Sequence, residues 1–222
     1  MSMPLGGILL AIRRRGARAV IEKALDQARE RVAPDSTHVW YLLDLQAERP
    51  RLPLPPGYVL IEVFPDTEDL ALLDALGPNA GADADRRFAA GGRLFTALAD
   101  GEPAFVCWIF RAIPTRASRG GWVALPRDLR GLEYSFTVEA HRGRGLAPAV
   151  WSELSDRLQA ASITGLVTKV GLNNGASRRA VEKAGFLVIA HVRVARRRGR
   201  LRVDVKEASG SVGVALQHTL SR

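Results

Sequence analysis

Apolar positions recur along this chain in two periods, and the places where the period changes divide it. Between residues 7 and 32, Leu9, Ile12, Val20, Ile21, Leu25 and Val32 fall at roughly helical spacing, with Gly16 interrupting the early part. This predicts a basic helix that stops before Pro34, because proline disfavours helical geometry in the residue before it. Thr37 to Leu45 reads as a strand. The run from Pro50 to Gly57 (PRLPLPPG) is then a stiff linker, since its prolines sustain neither a helix nor a central strand. From Tyr58 the pattern predicts a strand over 58–64, a helix around 67–76, a helical or irregular piece at 81–90 and a strand over 93–99. A hairpin turn at Asp100-Gly101 leads to strand 103–113, and another strand runs over 132–138. Leu146, Val150, Leu154 and Leu158 then march down one helix face, followed by strand 165–171, helix 175–184 and two strands, 186–195 and 200–206. A basic turn, Ala195 to Arg200, joins the last two. The organisation expected is an N-terminal helix-plus-strand extension (1–49), a Pro-rich linker (50–57), a main domain (58–206) and a short tail (207–222). Strands and helices in this order make an α/β fold, a mixed sheet with helices on both faces.

Composition narrows the chemistry. The 222 residues are 47% hydrophobic and 25% charged, which suits one packed domain with an appendage. Cys107 is the single cysteine, so no internal disulfide or multi-cysteine metal site exists; its apolar surroundings (AFVCWIF) suggest a buried thiol. His38, His191 and His218 are too scattered to propose a metal. The net charge of +9 favours anionic ligands without saying which. No stretch is long enough to span a membrane, and the apolar run Pro4–Ile12 has its arginines on the wrong side for a secretory signal, so a cytoplasmic protein is the default expectation. The basic N-terminal helix is expected to pack on the main domain, with a membrane-surface anchor as the sharper alternative.

The informative segment is LEYSFTVEAHRGRGLAPAVWSELSDRL, Leu132 to Leu158. A strand runs into a glycine-rich turn, and the turn opens an amphipathic helix. Glycines let the backbone fold around a ligand while the unpaired N–H groups of the first helical turn point at it, which makes an anion site. Arg142 and Arg144 add charge. The segment lacks the Gly-Lys-Ser/Thr ending of a phosphate-binding loop of nucleotide hydrolases and the glycine spacing of a dinucleotide fingerprint.

Arg142-Gly143-Arg144-Gly145-Leu146-Ala147 resembles the Arg/Gln-x-x-Gly-x-Gly/Ala signature of the GCN5-related N-acetyltransferases. The segment from Asn174 to Phe186 (NGASRRAVEKAGF) is similar to that family's second pattern, an Asn and a helix closing in Gly-Phe before a strand. The resemblance covers roughly 58–205, making 58–206 an acetyltransferase domain. It implies acetyl-CoA, or another acyl-CoA, with its pyrophosphate held by backbone amides from Gly143 to Ala147. Arg142 would support that site, Asn174 would contact the pantetheine or hold the neighbouring strand, and Ser177 and Arg178 would reach the pantetheine or nucleotide end. A backbone N–H near Val138 or Glu139 would polarise the thioester carbonyl. The acceptor implied is a primary amine on a small molecule or peptide, with no nucleic acid among the partners and a homodimer as one open assembly state.

Two departures from the family pattern matter. Val181 stands where many relatives carry a tyrosine that protonates the leaving thiolate, and Tyr134 is the one tyrosine near the motif in sequence. Pro148 removes a donor just inside the helix. Glu133 is the candidate general base, placed by alternation on the face of Ser135 and Thr137 and opposite Tyr134; the competing reading is a carboxylate paired with an arginine. Glu139 is a second carboxylate, and His141 is expected to pack. Transfer of a longer acyl chain from acyl-CoA or acyl carrier protein, and a non-catalytic CoA-binding protein, are the alternatives.

Overall fold

A computed structural model describes residues 35–65, 80–115, 117, 121–197 and 200–220. In chain order these form β1 (Asp35–Asp44), β2 (Tyr58–Val63), α1 (Ala80–Ala89), β3 (Arg93–Ala99), β4 (Glu102–Phe110), β5 (Ala112–Pro114), β6 (Trp122–Ala124) and β7 (Leu129–Thr137). They continue with a 3-10 turn (Glu139–His141), α2 (Leu146–Ala160), β8 (Gly165–Gly171), α3 (Gly175–Lys183), β9 (Leu187–Arg197), β10 (Arg200–Lys206) and α4 (Gly210–Leu220). The helices expected at 7–32 and 67–76, and the tip of the basic turn at 198–199, lie outside the described residues.

The chain divides into two compact units. Leu54–Ile109 and Tyr134–Val150 belong to the first. Here β2, β3 and β4 form an antiparallel meander, with Tyr58 opposite Ala99 and Ala99 opposite Glu102. Asp100 and Gly101 both take positive φ, 51° and 80°, the twist that a two-residue hairpin needs to match its strands. β4 is buried along nearly its whole length, Phe105 and Cys107 completely. Burial pushes the Cys107 thiol pKa well up, so this cysteine is an inert core group, as its neighbours in sequence suggest.

The second unit contains residues 35–53, 110–133 and 151–220. Its strands run in the order β10-β9-β1-β8-β7. β1 is antiparallel to both β9 and β8, whereas β7 is parallel to β8, so the sheet is mixed. The expected N-terminal extension is corrected here: its strand is not an appendage but lies between β8 and β9. Trp40 and Tyr41, adjacent on β1, are both buried, on opposite faces of the pleat. Trp40 joins Ile113, Val167, Ala190, Val192, Leu216 and Leu220 in one core cluster.

Two further elements depart from the expected layout. The strand read as 103–113 ends at Phe110, and Ala112–Pro114 instead pairs with Trp122–Ala124 in a separate hairpin. The tail carries α4, whose Gly213 lies so close to β9 that an added Cβ would sit 2.5 Å from the Ile189 carbonyl oxygen.

Candidate functional site

β7 ends in a glycine-rich turn that opens a helix. The Val138 N–H donates to the Ala104 carbonyl at 2.9 Å, after which the chain leaves the strand. A 3-10 turn follows, with the His141 N–H donating to Val138 O and the Arg142 N–H to Glu139 O. Gly143 and Gly145 then take φ of 77° and 73°. A Cβ at Gly143 would meet nothing within 4 Å, so its glycine is required by backbone conformation and not by space. The first helical bond of α2 is Ala149 N–H to Gly145 O, at 3.2 Å. Leu146 and Ala147 therefore present N–H groups with no intrahelical acceptor, and Pro148 has none to present. No acidic residue stands in this first turn, and the dipole there favours negative charge.

Both arginines of the turn are exposed. The Arg142 Nε donates to the Thr137 carbonyl at 3.2 Å, and its guanidinium lies 5.8 Å from the Phe136 ring centre. Arg144 donates to the Tyr58 hydroxyl at 3.3 Å, and that hydroxyl lies 2.8 Å from His141 Nδ1. The His141 and Tyr58 rings also meet edge-on. His141 is thus a packing and hydrogen-bonding partner of β2, as expected.

Within the second unit, β7 and β8 pair only from Leu129↔Gly165 to Gly131↔Val167, although both strands continue. Side chains of β8 take over from its backbone. Thr168 Oγ1 donates to the Leu132 carbonyl at 2.7 Å, and Lys169 Nζ donates to both oxygens of Glu133 at 2.9 and 2.8 Å. Glu133 is 8% exposed. Its carboxylate is thus ion-paired, with a lysine where the sequence suggests an arginine. His38, nearby on β1, has its pKa lowered to about 4, first by burial and then by the Lys169 charge.

Tyr134 has φ 54° in the middle of β7. A left-handed residue breaks the pleat, so alternation counted from Glu133 no longer predicts the faces of Ser135 and Thr137. Tyr134 is 46% exposed, and the Arg87 guanidinium lies 3.8 Å from the centre of its ring. The Val138 N–H, one of two donors expected near the thioester carbonyl, instead donates to the Ala104 carbonyl.

At α3, Asn174 is the helix cap: its Oδ1 accepts from the Ser177 N–H at 3.1 Å. Arg178 Nε donates to the Tyr41 hydroxyl at 3.1 Å, and that hydroxyl in turn donates to Glu182 Oε1. Burial raises the Tyr41 pKa, the Arg178 bond opposing and the Glu182 bond adding to the shift. Val181 is buried. In sequence Tyr134 is the one tyrosine near the glycine turn; a tyrosine 140 positions upstream of Val181 reaches α3 because β1 lies inside the sheet. The one signal in the sequence is the apolar run from Val39 to Leu43, within a segment that reads as a strand. Among the described residues, no three His, Cys, Asp or Glu side chains group to hold a metal ion, and no helix is long and apolar enough to cross a membrane.

No family model matches the sequence, and no curated protein does. Solved structures do match. A putative acetyltransferase of the GNAT family from Novosphingobium aromaticivorans superposes with a TM-score of 0.51 at 15% identity, over 72% of this chain and 63% of that one. A GCN5-related N-acetyltransferase from Sphaerobacter thermophilus gives 0.53 at 14%, over 80% and 55%. A tandem GNAT protein from the clavulanic acid biosynthesis pathway gives 0.50 at 15%, over 79% and 68%. The match thus spans less than two thirds of the first two structures, and what is shared at these identities is the fold.

Proposed function

We propose that this chain, which has the fold of the GCN5-related N-acetyltransferases, is an acyltransferase of that superfamily, moving an acetyl group from acetyl-CoA to a primary amine of a small molecule or peptide. The observation that carries this reading is the end of β7: a turn with two left-handed glycines, two exposed arginines and an acid-free helix start. That arrangement fits a pyrophosphate, with donors from Gly143 to Ala147 and charge from Arg142 and Arg144. The early end of β7–β8 pairing supports it further, since a pantetheine arm with its own amides can pair with the edge of β7 beyond Gly131. Asn174, Ser177 and Arg178 are proposed for the cofactor at α3, Arg178 being held in place by Tyr41.

Acetyl-CoA supplies the acyl group as a thioester. The acceptor nitrogen forms the new C–N bond as the C–S bond breaks; one proton leaves the nitrogen and the departing sulfur gains one. In this reading the Glu139 N–H stabilises the carbonyl oxygen, and one such donor typically contributes about 3 kcal/mol. Glu133 takes the acceptor's proton, through water or directly, after exchanging its bond to Lys169. Tyr134 is the candidate acid, since Val181 has no proton to give.

Thermal unfolding with acetyl-CoA, free CoA, palmitoyl-CoA and ATP in parallel tests the proposal. A ligand at a hundred times its Kd stabilises by about 2.7 kcal/mol, a shift of several degrees at this chain length. The expected result is a shift with CoA species that ATP does not reproduce and that Gly145→Glu removes. Equal shifts with ATP, or none with any CoA, would sink it.

A further inference from the structure

Arg144 stands between two left-handed glycines, Gly143 and Gly145, in the turn that opens α2. An exposed arginine on such a turn has many rotamers open to it, and it surrenders them when its guanidinium closes on an anion. Here part of that freedom is already gone. Arg144 Nη1 donates to the Tyr58 hydroxyl at 3.3 Å, and the same hydroxyl lies 2.8 Å from His141 Nδ1. A phenol carries one hydrogen and two lone pairs, so it serves a guanidinium and an imidazole together.

Backbone geometry anchors both residues that hold the arginine. Tyr58 opens β2: its N–H donates to the Pro55 carbonyl at 3.3 Å, and it pairs with Ala99 across the meander. His141 closes the 3-10 turn, with its N–H on Val138 O, and its ring meets the Tyr58 ring edge-on with centres 5.6 Å apart. Both side chains are half-buried, whereas Arg144 is exposed. The bond to Tyr58 engages one nitrogen of the guanidinium and is the one hydrogen bond of the Arg144 side chain among the described residues. Arg142, by contrast, is held by its own strand, through the Thr137 carbonyl.

We propose that Tyr58 is a positioning residue for the phosphate site: its hydroxyl, braced by His141, holds the Arg144 guanidinium beside the glycine turn as a donor already set for the cofactor's diphosphate. This rests on the acyltransferase reading and adds to it the side chains that select a phosphate-bearing ligand. Tyr58 does not touch that ligand and acts through Arg144. It comes from a strand 86 positions earlier in the chain, outside both sequence motifs.

Calorimetric binding tests this without an acceptor. Two probes separate the roles: free CoA, and pantetheine, which keeps the arm and the thiol but carries no phosphate. We expect Arg144→Met to raise the Kd for CoA by about tenfold and Tyr58→Phe by about three- to tenfold, with pantetheine changing by less than about twofold in each. In the Arg144→Met background Tyr58→Phe should add less than about twofold, since the hydroxyl then has nothing to position. A tyrosine that serves only the packing of β2 would weaken both probes alike, or add its full factor in the double variant. Either result overturns the inference, as does an unchanged Kd for CoA in Arg144→Met or in Tyr58→Phe. Should Tyr58→Phe not fold, His141→Phe removes the other partner of the hydroxyl and must show the same pattern, with no further loss beside Arg144→Met. A wild-type protein that binds no CoA overturns the acyltransferase reading itself. One that binds CoA while the variants break the pattern overturns the role of Tyr58 alone.

Discussion

At the scale of single residues, the Glu133–Lys169 pair and His38 dominate. Removing one member of a buried pair strands the other charge, so Glu133→Gln should cost about 3 kcal/mol in urea unfolding, while Glu133→Met with Lys169→Met should recover most of it. The same variant decides the role of the carboxylate. Turnover per folded molecule that falls by tenfold or more, about 1.4 kcal/mol of barrier, marks a base; unchanged turnover marks an ion pair that serves the sheet. His38 gives a pH dependence. Its folded pKa is lowered to about 4 from an ordinary 6.5, so above pH 6.5 neither the folded nor the unfolded chain protonates it and its contribution is fully present. As pH falls from 6.5 to 4, the unfolded chain gains a proton that the folded one refuses, and stability drops by up to about 3 kcal/mol. Urea midpoints at pH 7 and pH 5 should differ accordingly, and His38→Gln should reduce that difference. Glu133 was legible as a candidate because it is a carboxylate on a strand beside the glycine turn. Lys169 was not, because the pair joins residues 36 positions apart.

At the scale of elements, the periodic pieces lie close to where the sequence predicts them. Strands over 93–99 and 165–171 match to the residue, and helix 175–184 overshoots by one. Those segments carry their own apolar runs or an explicit cap, Asn174. α4 does not: SVGVALQHTL contains glycine and β-branched residues and holds its helix by packing on β9. Gly213 tests this. In an exposed helix, Gly→Ala stabilises by about 1 kcal/mol, but here the new methyl would lie 2.5 Å from the Ile189 carbonyl oxygen. Gly213→Ala should therefore destabilise, by about 1–3 kcal/mol as over-packing does, measured as a lowered Tm with α4 shifted off the strand. The left-handed backbone at Tyr134 was likewise hidden, since nothing in Glu-Tyr-Ser departs from an ordinary strand; the Arg87 guanidinium over its ring comes from elsewhere in the chain.

At the scale of the whole molecule, the expected boundary at Tyr58 makes a sharp prediction. β1 pairs through seven positions with β8 and eight with β9. A fragment 58–206 removes it and leaves both strands with bare edges and the Trp40 and Tyr41 sites empty. Such a fragment should lack a cooperative thermal transition, whereas the full chain should show one in circular dichroism. The sequence alone determined the α/β class, most strands and helices and the glycine turn, because each depends on local periodicity or on backbone preferences written in neighbouring residues. Tertiary structure alone decided that β1 lies between β8 and β9, that Glu133 is answered by Lys169, that Tyr41 holds Arg178 and that Arg87 covers Tyr134. Those contacts join residues dozens to more than a hundred positions apart. Their geometry comes from strand register and helix packing, which no local pattern encodes.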